Sequence, residues 1–351
     1  MARPPARLFP RKLDLKKGRV DLTHGAGGKA SAQLFEEIFR PAFANPLLDK
    51  ADDQARFSMN GRLVMATDGH VVSPLFFPGG DIGCLSVHGT INDVAMAGAT
   101  PEYLSVGFVI EESFPFADLV RIVRSMAHAA KDAGVAIVAG DTKVVERGKG
   151  DGVFITTTGV GRIPDWLENP PAADRAEPGD AILLSGPIGD HGVTILAARE
   201  ALPLAAPIES DTAALHTLTQ ALVEAVPDVK CMRDPTRGGL ATAMNELCLS
   251  SGVGALLREA AIPLRKPVSA ACEILGVDPL YLANEGRLIA IVPGPQAKAA
   301  LAALQSHELG RDAAIIGEIV EDPNGFVQME TELGGRRLVD WLAGDPLPRI
   351  C

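Results

Sequence analysis

The sequence has 351 residues, 47% hydrophobic and 22% charged, which is ordinary for a soluble globular protein long enough to form two domains. Its formal net charge of −11 disfavours general nucleic-acid binding, because an acidic surface repels phosphate backbones. No apolar run approaches the roughly 18 residues that a membrane span needs, so we expect no membrane-spanning segment.

The predicted elements of the first half alternate between helices and strands. In chain order, apolar spacing predicts a helix over 34–43, a strand over 61–67, a buried helix over 82–97, a strand over 103–111, an amphipathic helix over 116–130, and strands over 135–140 and 153–163. The stretch 164–180 is rich in proline and acidic residues and is the best candidate for a linker.

The second half begins a similar pattern. It is predicted to contain a strand over 180–186, helices over 191–200, 211–225 and 238–250, a strand over 286–292, a helix over 295–305, and strands over 313–320 and 325–330. Both halves mix helices with strands, which predicts an α/β plus α+β pair of domains. We place the N-terminal domain at 20–165, the C-terminal domain at 175–340 and a mobile C-terminal tail at 341–351.

The N-terminus and the cysteines both indicate a cytoplasmic protein. Residues 1–19 are basic and contain three prolines, but no apolar stretch of a signal peptide follows, so we expect a flexible basic tail. The five cysteines are widely spaced and form no CxxC pair, which disfavours a zinc ribbon or a thioredoxin-type site. We therefore expect a reducing compartment.

A glycine cluster, HGAGGKAS at 24–31, is the first candidate for chemistry. Gly25, Gly27 and Gly28 leave backbone N–H groups free to approach a phosphate closely, and Lys29 adds a positive charge. The spacing does not fit a Walker A loop. From these residues alone, a phosphate-binding loop and a plain glycine turn are about equally favoured.

Acidic residues near strand ends form the second candidate. Carboxylates that converge can hold one or two Mg²⁺ ions against nucleotide phosphates. Taken singly, each aspartate is better explained as a helix cap or a turn residue, although a carboxylate within an apolar helix, as at position 93, needs a partner. The candidates are Asp53, Asp68, Asp93, Asp141 and Asp234.

Two short motifs in the second half are further candidates. RDPTRGG at 233–239 places Gly238 and Gly239 before a helical run, which is typical of a helix start that binds an anion, or of a simple turn. NEGR at 284–287 places Glu285 just before a strand, where an acidic residue usually belongs to a turn.

The last residues of the sequence form a proline-containing arm that ends in a thiol. Pro346 and Pro348 disfavour helix, and eight extended residues could span about 26 Å at roughly 3.3 Å each. Cys351 at the end of such an arm suits a carrier group that moves between sites, whereas a frayed terminus is the ordinary alternative.

Together these motifs resemble the HypE family of NiFe-hydrogenase maturation proteins. The resemblance runs from about residue 20 to Cys351 and is carried by HGAGGK, DDQAR, ATDGHVVSPLFFPGGDIG, GTINDVAMAGATP, AGDTKVVERG, RDPTRGGLA, NEGR and PRIC. The family belongs to an ATP-binding superfamily with aminoimidazole ribonucleotide synthetase, selenophosphate synthetase and thiamine-monophosphate kinase. The basic extension at 1–19 departs from its pattern.

The resemblance implies a two-domain fold like that of aminoimidazole ribonucleotide synthetase, with an N-terminal sheet that forms a barrel across a homodimer. It also implies that HypF delivers a carbamoyl group to the thiol of Cys351. ATP then drives dehydration of this group to a thiocyanate, and the cyano group passes to iron on a HypC–HypD complex as a cyanide ligand.

The resemblance also implies roles for individual residues. Cys351, Lys143 and Glu285 are expected to be catalytic, with Lys143 and Glu285 as a coupled base. Binding of ATP and its phosphates is expected at Gly25, Gly27, Gly28, Lys29, Asp68, Asn92, Asp93, Arg237, Gly238 and Gly239. Mg²⁺ is expected at Asp53, Asp68, Asp93, Asp141 and Asp234.

Two other functions compete with this interpretation. A small-molecule kinase or synthetase of the same superfamily would act on a free substrate and would have no use for a terminal thiol. A scaffold without catalysis would have no need of the acidic and glycine-rich loops.

Overall fold

The computed structural model describes residues 9, 11–50, 54–200, 206–344 and 349–351. Its α-helices are α1 (Lys29–Leu34), α2 (Arg40–Phe43), α3 (Ile82–Ala95), α4 (Phe116–Asp132), α5 (Asp190–Glu200), α6 (His216–Ala225), α7 (Gly239–Ser251), α8 (Lys266–Leu275) and α9 (Ala297–Ser306). Its strands are β1 (Arg62–His70), β2 (Phe76–Phe77), β3 (Gly80–Asp81), β4 (Thr100–Glu111), β5 (Ala136–Val145), β6 (Val153–Ile163), β7 (Ala181–Leu184), β8 (Cys231–Arg233), β9 (Gly254–Arg258), β10 (Ile289–Val292), β11 (Ala314–Val320), β12 (Val327–Glu330) and β13 (Arg336–Leu338).

The N-terminal domain is a four-stranded sheet covered by helices. The strand order is β1-β6-β4-β5, in which β4 and β5 are parallel and the other pairs antiparallel. β1 and β5 are therefore edge strands, and within one chain the sheet does not close into a barrel. α3 and α4 pack against each other, and α3 also contacts β1 and β6.

The helices of this domain follow from their apolar patterns. α4 buries most of the stripe that the sequence predicted, including Leu119, Val123 and Met126. α3 is buried on nearly all sides, and Asp81 caps it by accepting hydrogen bonds from the N–H groups of Gly83 (2.8 Å) and Cys84 (3.1 Å).

The C-terminal domain is built on a seven-stranded sheet with the order β13-β12-β9-β11-β7-β10-β8. Among its pairs only β9 and β12 run parallel. β9 lies inside the sheet, yet the sequence did not predict it. Its short run GALLR follows α7 after a single glycine turn and is too short for a period to be read.

One of the hydrophobic clusters of the described residues contains side chains of both domains. This cluster extends from α4 and β4 to Val193 and Ile195 of α5, Val268 of α8, and Ile350 near the end of the chain. Residues of both domains therefore surround the cleft between them, where the candidate site lies.

Part of the predicted basic tail is attached to the N-terminal domain. The N–H of Leu13 donates to Glu37 Oε2 (2.9 Å), and the Arg11 carbonyl accepts from Gln33 Nε2 (2.7 Å). Residues 11–19 are thus held by side chains of the first helical segment, and 1–8 and 10 lie outside the described residues. No helix in the described ranges is long and apolar enough to cross a membrane.

Candidate active site

The end of the chain lies against the protein. The carbonyl oxygens of Cys351 and Arg349 accept hydrogen bonds from the N–H groups of Val71 (3.0 Å) and Ser73 (3.1 Å). Ile350 between them is only 4% exposed. The last three residues of the predicted mobile tail are therefore docked, and residues 345–348, with both prolines, lie outside the described part of the chain.

The docked tail brings the Cys351 thiol to Glu285. Burial, and then the charge of the neighbouring Glu285 carboxylate, raises the pKa of the thiol. Burial, and then the neighbouring carboxylates led by Asp234, raises the pKa of Glu285 well above its usual range. A carboxylate that is made more basic in this way is suited to accept a proton in catalysis.

Three aspartates surround this pair. Burial raises the pKa of Asp93 to about 7, and the charges of Asp234 and Asp68 add to the effect. Burial raises the pKa of Asp234 to about 6, with a further contribution from Asp68. Mutually raised values indicate crowded negative charges, which a divalent cation would stabilise.

Asp68 lies on the edge strand β1 with a buried histidine beside it. Its Oδ1 accepts a hydrogen bond from the N–H of Gly69 (2.8 Å), and its Oδ2 lies 3.7 Å from Nε2 of His70. The His70 ring is 1% exposed, and burial lowers its pKa, which favours the neutral ring.

The start of α7 adds positive potential to the cluster. Gly238 (φ 75°) and Gly239 (φ 60°) both have left-handed backbones, and no side chain caps the helix. The N–H of Gly239 donates to the Thr236 carbonyl oxygen (2.9 Å), which leaves the N–H groups of Leu240 and Ala241 available to an anion. A Cβ at Gly239 would lie 2.5 Å from the Leu280 carbonyl oxygen, which requires glycine there. The positive charge of the exposed Arg237 partly offsets the rise in the pKa values of Asp93 and Cys351, so this guanidinium is close enough to interact with both groups.

A second group of predicted residues lies along β5. Lys143 Nζ forms an ion pair with Asp141 (2.8 Å), and the Lys143 hydrogen bond lowers the pKa of Asp141. Gly25 packs against this strand so closely that a Cβ would lie 2.4 Å from the backbone nitrogen of Val144. Gly27 has a φ of 76°, in the left-handed region.

The residues of β5 and the glycine loop border a cavity of about 370 Å³. Its polar rim contains Gly25, Gly27, Asp141 and Lys143, and its apolar wall includes Phe35, Phe39 and Phe108. Such a cavity can hold a flat apolar ring system with charged groups at its mouth. Gly28 precedes α1 without a side-chain cap, and Lys29 is exposed at its first position.

The two groups lie at opposite edges of the N-terminal sheet. Asp68 on β1 is in register with Thr157, Thr157 with Val106, and Val106 with Gly140 beside Asp141. Three strand spacings of about 4.8 Å separate the two edges by about 14 Å. Lys143 and Glu285 accordingly contact different partners, Asp141 and Cys351.

The predicted set of metal ligands is therefore not assembled within one chain. Among the described residues, no three His, Cys, Asp or Glu side chains converge closely enough to hold a metal ion. Asp68, Asp93 and Asp234 share one group, Asp141 lies in the other, and Asp53 is outside the described residues.

Asn92, predicted to bind nucleotide, instead braces the loop that carries Glu285. Its amide nitrogen donates to the carbonyl oxygens of Ala213 (3.0 Å) and Glu285 (3.3 Å), and its Oδ1 accepts from the N–H of Leu215 (2.7 Å). Because both amide hydrogens are used, this side chain has no donor left for a phosphate.

Three residues that hold Glu285 in place were missed by the sequence analysis. The Asp211 carboxylate accepts hydrogen bonds from the N–H groups of Glu285 (3.1 Å) and Gly286 (3.2 Å). A Cβ at Gly286 would lie 1.8 Å from the Asp211 carbonyl oxygen, so the contact requires glycine. Asn284 ties the same loop to the carbonyl oxygen of Pro235 (2.9 Å), next to Asp234. The motif NEGR was the available signal, because it surrounds the acidic residue with an amide and a glycine.

Comparison with known proteins places this arrangement in a family. The description "AIR synthase related protein, N-terminal domain" matches residues 51–163, and its C-terminal counterpart matches 177–330. Carbamoyl dehydratase HypE from Azotobacter vinelandii is 62% identical, over 97% of this chain and 99% of that protein. The chain belongs to the HypE family.

Solved HypE structures share the fold. A hydrogenase maturation protein HypE in complex with ATP superimposes with a TM-score of 0.91 at 50% identity, covering 94% of this chain and 99% of that one. The HypE chain of a HypE–HypF complex superimposes with a TM-score of 0.78 at 46% identity, covering 88% and 99%. The resemblance of the sequence to the HypE family and to its two-domain superfamily fold is thus confirmed.

Proposed function

We propose that this protein is an ATP-dependent carbamoyl dehydratase whose substrate is an S-carbamoyl group on its own Cys351. The observation that carries the proposal is the docked tail, which places this thiol against the Glu285 carboxyl group inside the acidic cleft. A kinase or synthetase acting on a free small molecule would have its substrate position filled by its own C-terminus.

The reaction removes the elements of water from the S-carbamoyl group. The amide oxygen attacks the γ-phosphorus of ATP, the bond to ADP breaks, and the oxygen becomes part of a phosphate ester. The amide nitrogen loses both of its hydrogens, one as the phosphate ester forms and the second as the C–O bond breaks, and Glu285 accepts the second. The products are a thiocyanate, ADP, hydrogen phosphate, which takes up one of the two protons, and one free proton. Phosphoryl transfer of this kind depends mainly on positioning and on neutralisation of charge.

The raised pKa of Glu285 suits its role as this base, because burial and the neighbouring carboxylates favour its protonated form. The N–H groups at the start of α7 and the Arg237 guanidinium would face the phosphates. The carboxylates of Asp68, Asp93 and Asp234 do not by themselves converge on one point, but their crowded charges would attract Mg²⁺, which, with the phosphates as further ligands, would neutralise phosphate charge.

The second group of residues completes the site only if two chains combine. Asp141, Lys143 and the glycine loop lie about 14 Å from Asp68 across the sheet. β1 and β5 are edge strands with unpaired backbone groups, and pairing of two such sheets would close a barrel and remove these edges. We place Asp141 and Lys143 of one chain opposite Glu285 of the other in a homodimer, where Lys143 could assist the base.

The docked position does not suit the thiol as a nucleophile. Burial and Glu285 raise its pKa, whereas attack on a carbamoyl donor needs the thiolate. The tail therefore leaves the cleft to receive its carbamoyl group and to deliver its cyano group. The solved HypE–HypF complex supports HypF as the donor, and a HypC–HypD complex in the cytoplasm is the proposed iron-carrying acceptor.

The experiment compares the protein with Cys351→Ala after incubation with HypF, carbamoyl phosphate and MgATP. We expect a carbamoyl adduct and then a cyano adduct by intact mass in the parent protein, and neither in the variant, at matched melting temperatures. An adduct that persists in the variant would contradict the role of Cys351.

A further inference from the structure

The backbone of the docked tail is held by two surfaces. Val71 and Ser73 donate hydrogen bonds to the carbonyl oxygens of Cys351 and Arg349 on one side. The Ile350 carbonyl between them accepts a hydrogen bond from Nε2 of a side chain in α5, His191, at 2.8 Å. This carbonyl belongs to the peptide that leads into Cys351, so the contact helps to position the residue that carries the thiol.

His191 is built to donate this one hydrogen bond. Its ring is 0% exposed and packs edge-on against Phe77. Nδ1 lies 2.7 Å from the hydroxyl of Ser210, whose oxygen accepts from the N–H of Thr212 (3.1 Å). Because the Ile350 carbonyl can only accept, Nε2 carries the proton and Nδ1 accepts from Ser210.

The same contact depends on the position of the tail. When the tail leaves the cleft, the buried Nε2–H of His191 loses the partner that it has in the described structure. This hydrogen bond exists only in the docked state, and its net contribution to stability therefore favours that state. Arg199 also binds the tail, because its guanidinium donates a hydrogen bond to the Arg349 carbonyl oxygen (2.8 Å). Arg199 is only partly buried, and Arg349 lies two residues before Cys351, so this contact is further along the chain from the thiol than that of His191.

We propose that His191 is a positioning residue, which holds the S-carbamoyl group of Cys351 at Glu285 during dehydration through the Ile350 carbonyl. This inference rests on the proposed function for the dehydration step, while the docking contact itself does not.

The test uses three variants of the full chain. His191→Leu removes the donor at similar volume, and His191→Gln keeps a donor where Nε2 was. Ser210→Ala leaves the ring in place but removes the hydroxyl that orients it. His88→Leu is the matched control, because His88 is another largely buried histidine that bonds Thr212 Oγ1 (3.0 Å) in the same segment without touching the tail.

The first measurement is the alkylation rate of Cys351 without any partner protein. Loss of one buried hydrogen bond predicts alkylation about tenfold faster in His191→Leu, a smaller increase in Ser210→Ala, and parent rates in His191→Gln and His88→Leu. Parent rates in both His191→Leu and Ser210→Ala would overturn the docking role, whatever the protein's function.

The second measurement follows intact mass after carbamoylation by HypF. In His191→Leu we expect carbamoyl transfer at least as fast as in the parent, followed by ATP-dependent conversion about tenfold slower, with rescue in His191→Gln. Equal slowing of both steps would indicate a general defect and overturn the positioning role. If His191→Leu does not fold, Ser210→Ala decides the question, and absence of a carbamoyl adduct in the parent would refute the proposed function instead.

Discussion

A mixture of two inactive variants should recover activity if the site is shared between chains. Asp141→Asn alters the group on β5, and Glu285→Gln alters the base in the cleft. The Asp141 side chain is 68% exposed, forms an ion pair with Lys143 and accepts a hydrogen bond from the N–H of Thr142 (2.8 Å). Because these contacts are exposed and asparagine keeps an acceptor oxygen, the change should alter the free energy of unfolding by less than about 1 kcal/mol. Glu285→Gln removes a buried charge whose ionisation the site disfavours, so the fold should tolerate it.

Each variant by itself should lose at least about a hundredfold in the rate of dehydration, as expected for a general base or a charged positioning group. In a random mixture of chains, half of the dimers are mixed, and one of the two sites in each mixed dimer has both groups intact. The mixture should therefore recover about a quarter of the parent activity. The separation of about 14 Å across the sheet is the reason that one chain cannot supply both groups.

The assay carbamoylates both variants, mixes them under conditions that exchange subunits, and adds MgATP. One variant is labelled with a heavy isotope so that intact mass identifies the chain that carries the product. The cyano adduct should appear only on the Asp141→Asn chain, because this chain keeps Glu285 beside its own Cys351. Asp141→Asn mixed with Lys143→Ala is the control, since both changes affect the same group and no recovery is expected. Verified mixed dimers without recovered activity would refute the shared site.

Three further predictions concern single positions. Asp93→Asn should raise the melting temperature at neutral pH, because the folded-state pKa of Asp93 is about 7, above its usual value, and the ionised carboxylate therefore disfavours folding. The same change should weaken the binding of a non-hydrolysable MgATP analogue by about tenfold or more in calorimetric titration. Unchanged affinity would contradict the role of Asp93. Gly239→Ala should lower the free energy of unfolding, measured in urea, by several kcal/mol, because the residue has a φ of 60° and the new Cβ would lie 2.5 Å from a carbonyl oxygen. Gly134→Ala is the control, since it has a similar φ of 69° but open space around the new Cβ, and it should cost only about 1 kcal/mol. Equal losses in the two variants would contradict the close approach at Gly239. Burial lowers the pKa of His88 to about 4, so the folded protein holds the ring neutral. The free energy of unfolding should therefore be highest above about pH 6.5 and should fall by up to about 3 kcal/mol as the pH decreases toward 4. The urea midpoints of the parent and of His88→Gln should converge across this pH range.

The sequence predicted the elements with long apolar periods and the loops with unusual residues. The stripe of α4 was predicted correctly because many positions agree on one face, and the buried run of α3 because its residues are mostly small and apolar. The helix predicted over 34–43 begins earlier, at Lys29, since the small residues of α1 carry little apolar signal. β9 was missed because five residues do not establish a period.

The composition of the site was easier to predict than its geometry. The motifs that include Asp68, Asp93, Asp234 and Glu285 do meet in one cleft, as their residue types suggested. Asp141 lies at the other edge of the sheet, and only strand order reveals this separation. The contact of His191 with the Ile350 carbonyl joins a helix side chain to a backbone group 159 positions away, and backbone acceptors leave no mark in the sequence.

The most direct test of the central claim is the intact mass of the carbamoylated protein before and after MgATP. HypF and carbamoyl phosphate should first add one carbamoyl group at Cys351, and after their removal MgATP should lower the mass by one water while ADP appears in equal amount. An unchanged mass with ATP consumed would instead indicate a kinase acting on another substrate, and would contradict dehydration at the terminal thiol.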